Sequence, residues 1–240
     1  MIFKHAKTHG ALDGTNPVTD SAIPKAANAG RPTHAYTPQE IVLMVDSLEG
    51  APKLAVAVMF FCGLRPSEAR GLKWSDYDPK TKTLSIARSM WRSFTTAPKT
   101  RSSVATVPVP TVLADLLEAT PRKSEYVLTS VEGKPIDLYN LASRVICPAL
   151  AKCSTCEKEK HEANGHEYKP IIEWRGFYAL RRGCATLATS LDSALAAKSL
   201  LRHANISTTD QFYIKSVDAD AVRAMQKIDA LFAQGDGPAN

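Results

Sequence analysis

At 240 residues, 44% of them hydrophobic and 22% charged, the chain is long enough to bury a substantial core and has the composition of an ordinary globular protein. A formal net charge of +6 and a pI near 9.0 favour a polyanionic partner. No run of about 18 apolar residues is present to span a membrane, the N-terminus lacks the layout of a signal peptide, and five cysteines, three of them bunched at Cys147, Cys153 and Cys156, do not suit a secreted disulfide framework, so a cytoplasmic location is expected.

Residues 1–35 carry Asn16-Pro17, Pro24, Gly30 and Pro32, which interrupt any long helix. They read as a linker with a short helix over Met1 to Leu12, or as a disordered tail. A compact domain over 36–233 opens at Thr37-Pro38-Gln39-Glu40, a capping box with proline at the first helical position, and Ile41, Val42, Met44, Val45 and Leu48 follow at helical spacing. A second apolar helix runs from Pro52 to Cys62. From Trp74 to Pro110 the period changes: alternating Leu84 and Ile86 and the run Val104 to Val109 predict strands of a small sheet, with Lys99 at a turn.

Helices are expected over Thr111 to Ala119, Leu138 to Leu150, Leu180 to Leu191, Ser193 to Leu201 and Val217 to Phe232. The fold class is therefore α+β and mainly α-helical, with one small antiparallel sheet. The last helix gathers Val217, Ala221, Val222, Met225, Ile228, Leu231 and Phe232 on one stripe, a face for the chain's own core or for a second copy. Residues 234–240 read as a frayed tail.

Four short stretches carry chemistry. They are Gly63-Leu64-Arg65-Pro66-Ser67-Glu68, Pro98-Lys99-Thr100 ahead of Val107-Pro108-Val109-Pro110, Tyr178-Ala179-Leu180-Arg181, and Leu201-Arg202-His203 with Tyr213 ten residues after His203. Arginine presents a planar fork that matches two phosphate oxygens and stays charged at any physiological pH. A tyrosine, whose phenol pKa is about 10, attacks phosphorus well only where cations stabilise the developing charge. Taken singly, Arg65 and Glu68 read as an ordinary i,i+3 ion pair on a helix. In this order the boxes resemble the catalytic domain of the tyrosine recombinase (phage integrase) family, from about Tyr36 to Ala233, and Met1 to Leu12 with Asn16-Pro17 then resembles a remnant of the family's N-terminal core-binding domain.

The resemblance implies roles residue by residue. Arg65 and Arg181 clamp the scissile phosphate, with Glu68 as support, and His203 is a third phosphate ligand. Tyr213 is the nucleophile that forms a 3′-phosphotyrosine, and Lys99 is the general acid, with Lys82 or Arg101 as alternatives in another hairpin register. Tyr178 occupies a position where the family usually has histidine, and a phenol does not act as a base near neutral pH. The implied activity is site-specific DNA recombination on double-stranded DNA by a homotetramer joined through the C-terminal helix. It needs no cofactor for catalysis, in keeping with the absence of a Gly-x4-Gly-Lys-Ser/Thr loop. The alternatives are a type IB topoisomerase-like enzyme, a truncated non-catalytic DNA-binding integrase remnant and a two-metal nuclease.

Residues 147–170 read as an insertion. Within it Cys153, Cys156, His161 and His166 have the spacing of a zinc knuckle, with Cys147 nearby as a substitute ligand. The expected metal is one structural zinc. A solvated loop with reduced thiols is the plainer alternative.

Overall fold

The computed structural model describes residues 2–14, 33–91, 94–96, 105–156, 165–202 and 219–233. The chain divides into two compact units, Met1–Thr33 and His34–Asn240. In the first, helix α1 (Ile2–Thr8) is closed by backbone bonds from His9 and Ala11 to the carbonyls of His5 and Ala6.

The second unit begins with α2 (Pro38–Asp46), which starts where the capping box places it. Glu40 N–H donates to Thr37 Oγ1 at 3.2 Å and Thr37 N–H donates to Glu40 Oε2 at 2.8 Å, so two otherwise orphaned helix donors are satisfied. Helix α3 (Gly50–Phe61) starts two residues before Pro52, because proline fits the first turn of a helix as well as its first position. Leu54 to Phe61 are all buried, and α3 packs against α2 and against the later helices Thr111–Ala119 and Phe177–Leu191. A helix apolar on every side can only lie in a core.

Helix α4 (Pro66–Arg70) follows and packs against the strand Ser89–Trp91. Strands β1 (Tyr77–Asp78), β2 (Thr83–Ile86) and β5 (Ala105–Pro108) form an antiparallel sheet in the order β1-β2-β5, with Leu84 opposite Val107 and both inward. Strands β3 (Ser89–Trp91) and β4 (Phe94–Thr96) pair separately as a hairpin, which the alternation pattern does not announce because Trp91 and Phe94 are both exposed. Val104 lies outside the described residues.

Helix α5 (Thr111–Ala119) has the predicted bounds. Pro110 precedes it and offers no capping side chain; Asp229, far along the chain, accepts from Thr111 N–H at 2.7 Å and from Thr111 Oγ1 at 2.6 Å instead. The helix expected over 138–150 is continuous but not uniform: α6 (Leu138–Leu141) passes through a π-turn (Ala142–Ile146) into α7 (Cys147–Leu150). Pro148, which has no N–H and crowds the carbonyl one turn back, supplies the reason for that local widening.

Helix α8 (Phe177–Leu191) begins three residues earlier than Leu180, and α9 (Ala194–Leu200) is capped by Ser193, whose Oγ accepts from Ala196 N–H at 3.1 Å. Helix α10 (Ala219–Ala233) buries Ala221, Ala224, Met225 and Ile228 within this chain, and Phe232 packs edge-on to Phe61 with ring centroids 5.0 Å apart. Asp192, between α8 and α9, accepts from Lys227 Nζ at 2.7 Å and from Arg223 Nε at 3.2 Å, fastening the outer side of α10. The apolar stripe is therefore occupied by the chain's own core; Val217 lies outside the described residues.

Candidate phosphate-binding site

Gly63 ends α3 at φ +55°, and a Cβ there would lie 2.6 Å from Leu201 Cδ2 and 3.3 Å from Cys184 Sγ. Only glycine allows the end of α3, the middle of α8 and the end of α9 to meet this closely. Gly183 does the same for the other side of α8, where a Cβ would stand 2.4 Å from the Tyr36 carbonyl oxygen.

At this junction Arg65 is the residue that caps α4, and Glu68 turns back onto it. Glu68 Oε2 accepts from Arg65 N–H at 2.8 Å and Oε1 accepts from Arg65 Nη1 at 2.7 Å. The Arg65 side chain remains 41% exposed while that of Glu68 is 12% exposed, so the arginine faces outward from a buried support.

Arg181 enters from α8 and is buried. Its Nη1 donates to the Gly63 carbonyl and its Nη2 to the Leu201 carbonyl at 2.6 Å, with Nη1 4.0 Å from Glu68 Oε2. A guanidinium has five N–H donors, so these two bonds leave others for a ligand. Arg202, at the end of α9, donates to Glu68 Oε2 at 2.8 Å and to the Cys62 carbonyl at 3.2 Å.

Three guanidiniums from three parts of the chain thus surround one carboxylate, leaving an excess of positive charge. Burial pulls the Arg181 guanidinium down to about 10, Arg65 and Arg202 push the same way and Glu68 opposes them, so Arg181 stays a cation through the physiological range. Burial works to raise the Glu68 carboxyl, but Arg202 and then the hydrogen bonds from Arg65 outweigh it and hold the group below its usual range. The cluster is a fixed cationic pocket that suits a phosphodiester.

Tyr178 lies one turn before Arg181 on α8 and is 58% exposed. Lys99, Arg101, His203 and Tyr213 lie outside the described residues. Lys82, the alternative acid, sits in the turn between β1 and β2 and donates to Thr111 Oγ1 at 3.3 Å. Spacing gives Arg202 no role beyond its box; the sequence signal for it is a charged residue just past a helix end, where glycine or asparagine is usual.

A second cluster forms in the insertion. One donor atom each from Cys153, Cys156 and His166 lie within 4.8 Å of one another, and Cys153 Sγ is 3.4 Å from His166 Nε2. Sulfur and nitrogen on a tetrahedral zinc, at about 2.3 and 2.1 Å, stand roughly 3.6 Å apart, so the donor set fits that ion. The backbone N–H of Thr155 above all, with those of Cys156 and Lys169 and the His166 ring, draws the Cys153 thiol down to about 5 against the effect of burial, toward the thiolate that binds metal. Cys147 is not one of these donors; it lines an apolar depression with Leu138, Tyr139, Trp174 and Phe177. His161 lies outside the described residues.

A mainly helical domain with small antiparallel sheets and an arginine-lined pocket is the class that the fold and site define. The Phage integrase family matches residues 36–220, most of the chain, and the protein belongs to that family. It is 27% identical to a "Tyrosine recombinase XerC-like" protein of Caldanaerobacter subterraneus subsp. tengcongensis, over 96% of this chain and 63% of that protein. The chain therefore spans 63% of the length of this curated relative.

Among solved structures, the Tn1549 transposon integrase in complex with transposon right end DNA superposes with a TM-score of 0.62 at 20% identity, covering 95% of this chain and 75% of that one. A lambda integrase tetramer bound to a Holliday junction gives a TM-score of 0.52 at 19% identity, covering 87% of this chain and 56% of that one. At these identities the likeness establishes the fold. Among the described residues no helix is long and apolar enough to cross a membrane.

Proposed function

We propose that the protein is a tyrosine-type site-specific recombinase that cleaves and rejoins double-stranded DNA. In this reading Arg65 and Arg181, supported by Glu68 and helped by Tyr178 and His203, hold the scissile phosphate. Tyr213 passes its phenolic proton to a water molecule as its oxygen attacks phosphorus. The bond to the 5′ oxygen breaks, Lys99 supplies the proton that makes a 5′ hydroxyl, and a 3′-phosphotyrosine remains. Rejoining is the reverse step with another 5′ hydroxyl, so the phosphoester energy is conserved and no cofactor is consumed.

The observation that carries the reading is the convergence of Arg65, Arg181 and Arg202 on Glu68. A solvated ion pair needs one arginine; three around one buried carboxylate make a pocket for a further anion. The DNA-bound transposon integrase and the lambda integrase tetramer on a Holliday junction support DNA as partner and a homotetramer as assembly. In this reading α10 of one subunit takes on its neighbour the place it fills here on its own core. The protein acts in the DNA-bearing compartment. Its insertion holds one structural zinc through Cys153, Cys156 and His166, with His161 as fourth ligand.

A pool of duplexes randomised around a nick, in which cleavage releases a short strand and cannot reverse, tests the chemistry. Wild type is expected to form a denaturant-resistant protein-DNA adduct insensitive to EDTA, and Tyr213→Phe none. No adduct with wild type, while DNA is still bound, would leave a non-catalytic DNA-binding domain. An EDTA-sensitive cut without an adduct would make the protein a metal nuclease.

A further inference from the structure

We propose that Arg202 is a positioning residue of the DNA-cleaving site, holding the Glu68 carboxylate in the orientation that presents Arg65 and the Leu201 carbonyl where it meets Arg181. The proposal rests on the recombinase reading above and adds to it a residue that the box pattern alone leaves without a role.

Arg202 has φ +55°, in the left-handed region where a side chain costs free energy that glycine avoids. Helix ends commonly place glycine at such a point. The arginine side chain at this point is only 11% exposed. Its Nη1 donates to the carbonyls of Cys62 and Leu200 at 3.2 and 3.3 Å, and its Nη2 to Glu68 Oε2 at 2.8 Å. One planar fork therefore ties the end of α3, the end of α9 and the carboxylate of α4 together.

The consequence reaches both clamp residues. Glu68 Oε2 is shared between Arg202 Nη2 and the Arg65 backbone N–H, leaving Oε1 aimed at Arg65 Nη1. Without Arg202 the Oε2 side of the carboxylate is held by the Arg65 backbone N–H alone, and its orientation toward the Arg65 guanidinium is less tightly fixed. The Leu201 carbonyl, which holds Arg181 Nη2 at 2.6 Å, belongs to the residue just before Arg202, so the same anchor sets the second clamp. Arg202 itself is spent on protein groups; it acts through Glu68 and Leu201.

Arg202→Gly removes the fork while suiting the backbone, and Arg202→Met removes the charge but keeps a buried stem. Each is measured by thermal melting, by DNA affinity, and by single-turnover cleavage of the nicked pool at saturating protein. Both are expected to bind DNA within about threefold of wild type while cleavage slows on the order of thirtyfold or more, a loss in the chemical step rather than in binding. Arg202→Lys, which keeps a cation for Glu68, is expected to recover part of that rate.

Cleavage by Arg202→Gly within threefold of wild type overturns the proposal. If the glycine variant does not melt cooperatively, Arg202→Met decides by the same criterion. A fall in DNA affinity that accounts for the whole loss of rate also overturns it. Failure of the recombinase reading is seen separately, as no adduct from wild type itself.

Discussion

Glu68 shows how a single side chain sets the charge of the pocket. Its carboxyl is held below the ordinary value of 4.5 because Arg202 and Arg65 outweigh the effect of burial. A carboxyl depressed in the folded state contributes stability that is fully present above its unfolded pKa and is lost as pH falls through the folded value. Glu68→Gln is expected to lower stability at pH 7 by about 3 kcal/mol, the scale of stranding buried charges. In urea titrations the gap between variant and wild type should narrow steadily below about pH 4.5, and a gap independent of pH would count against this account. Arg65, Glu68 and Arg181 were legible in the sequence because each sits in a box with its own spacing. Arg202 was not, since its partners Cys62 and Glu68 are far away in the chain and only folding brings them to it. Tyr178 is legible as an exception to the family's histidine, and its exposure leaves it facing outward beside the buried Arg181.

At the scale of elements, local signals worked where they were sufficient by themselves. Thr37 and Glu40 cap α2 as their spacing predicts, and α5 has its expected bounds because period and flanking prolines agree. The π-turn and the β3–β4 hairpin escaped, the first because periodicity does not register one inserted residue, the second because both residues of its outer pair face solvent. The insertion is legible as ligand spacing, yet it is the bridge between Cys153 and Pro170 that draws its two ends together and sets Cys153 beside His166. Purified protein is expected to carry about one zinc per chain by elemental analysis, and a chelator should lower its melting temperature. Cys153→Ser should lose both the metal and the chelator effect. Native protein free of zinc rules the site out.

For the molecule as a whole, the placement of α10 matters most. Its apolar face is buried in this chain, and Asp229 caps α5 through Thr111. The exchange proposed for the DNA-bound tetramer would break these contacts in one subunit and remake them in the next, at little net cost because the interface is the same. Thr111→Cys combined with Asp229→Cys, bridged by a short bis-maleimide, should close within one chain in DNA-free protein. On DNA it should join neighbouring chains into covalent multimers on a denaturing gel, absent from either single variant. Intrachain closure alone on DNA would exclude exchange through α10.

The sequence by itself determined the helical periods, the capping box of α2 and the identity of the boxes, because these depend on spacing within a few residues and on side-chain chemistry that does not change with context. Only the tertiary structure decided that three guanidiniums share Glu68, that Gly63 must be glycine, and that the α10 stripe lies on its own core. Those are contacts between distant parts of the chain, and their geometry and desolvation exist only once the core that brings them together has formed.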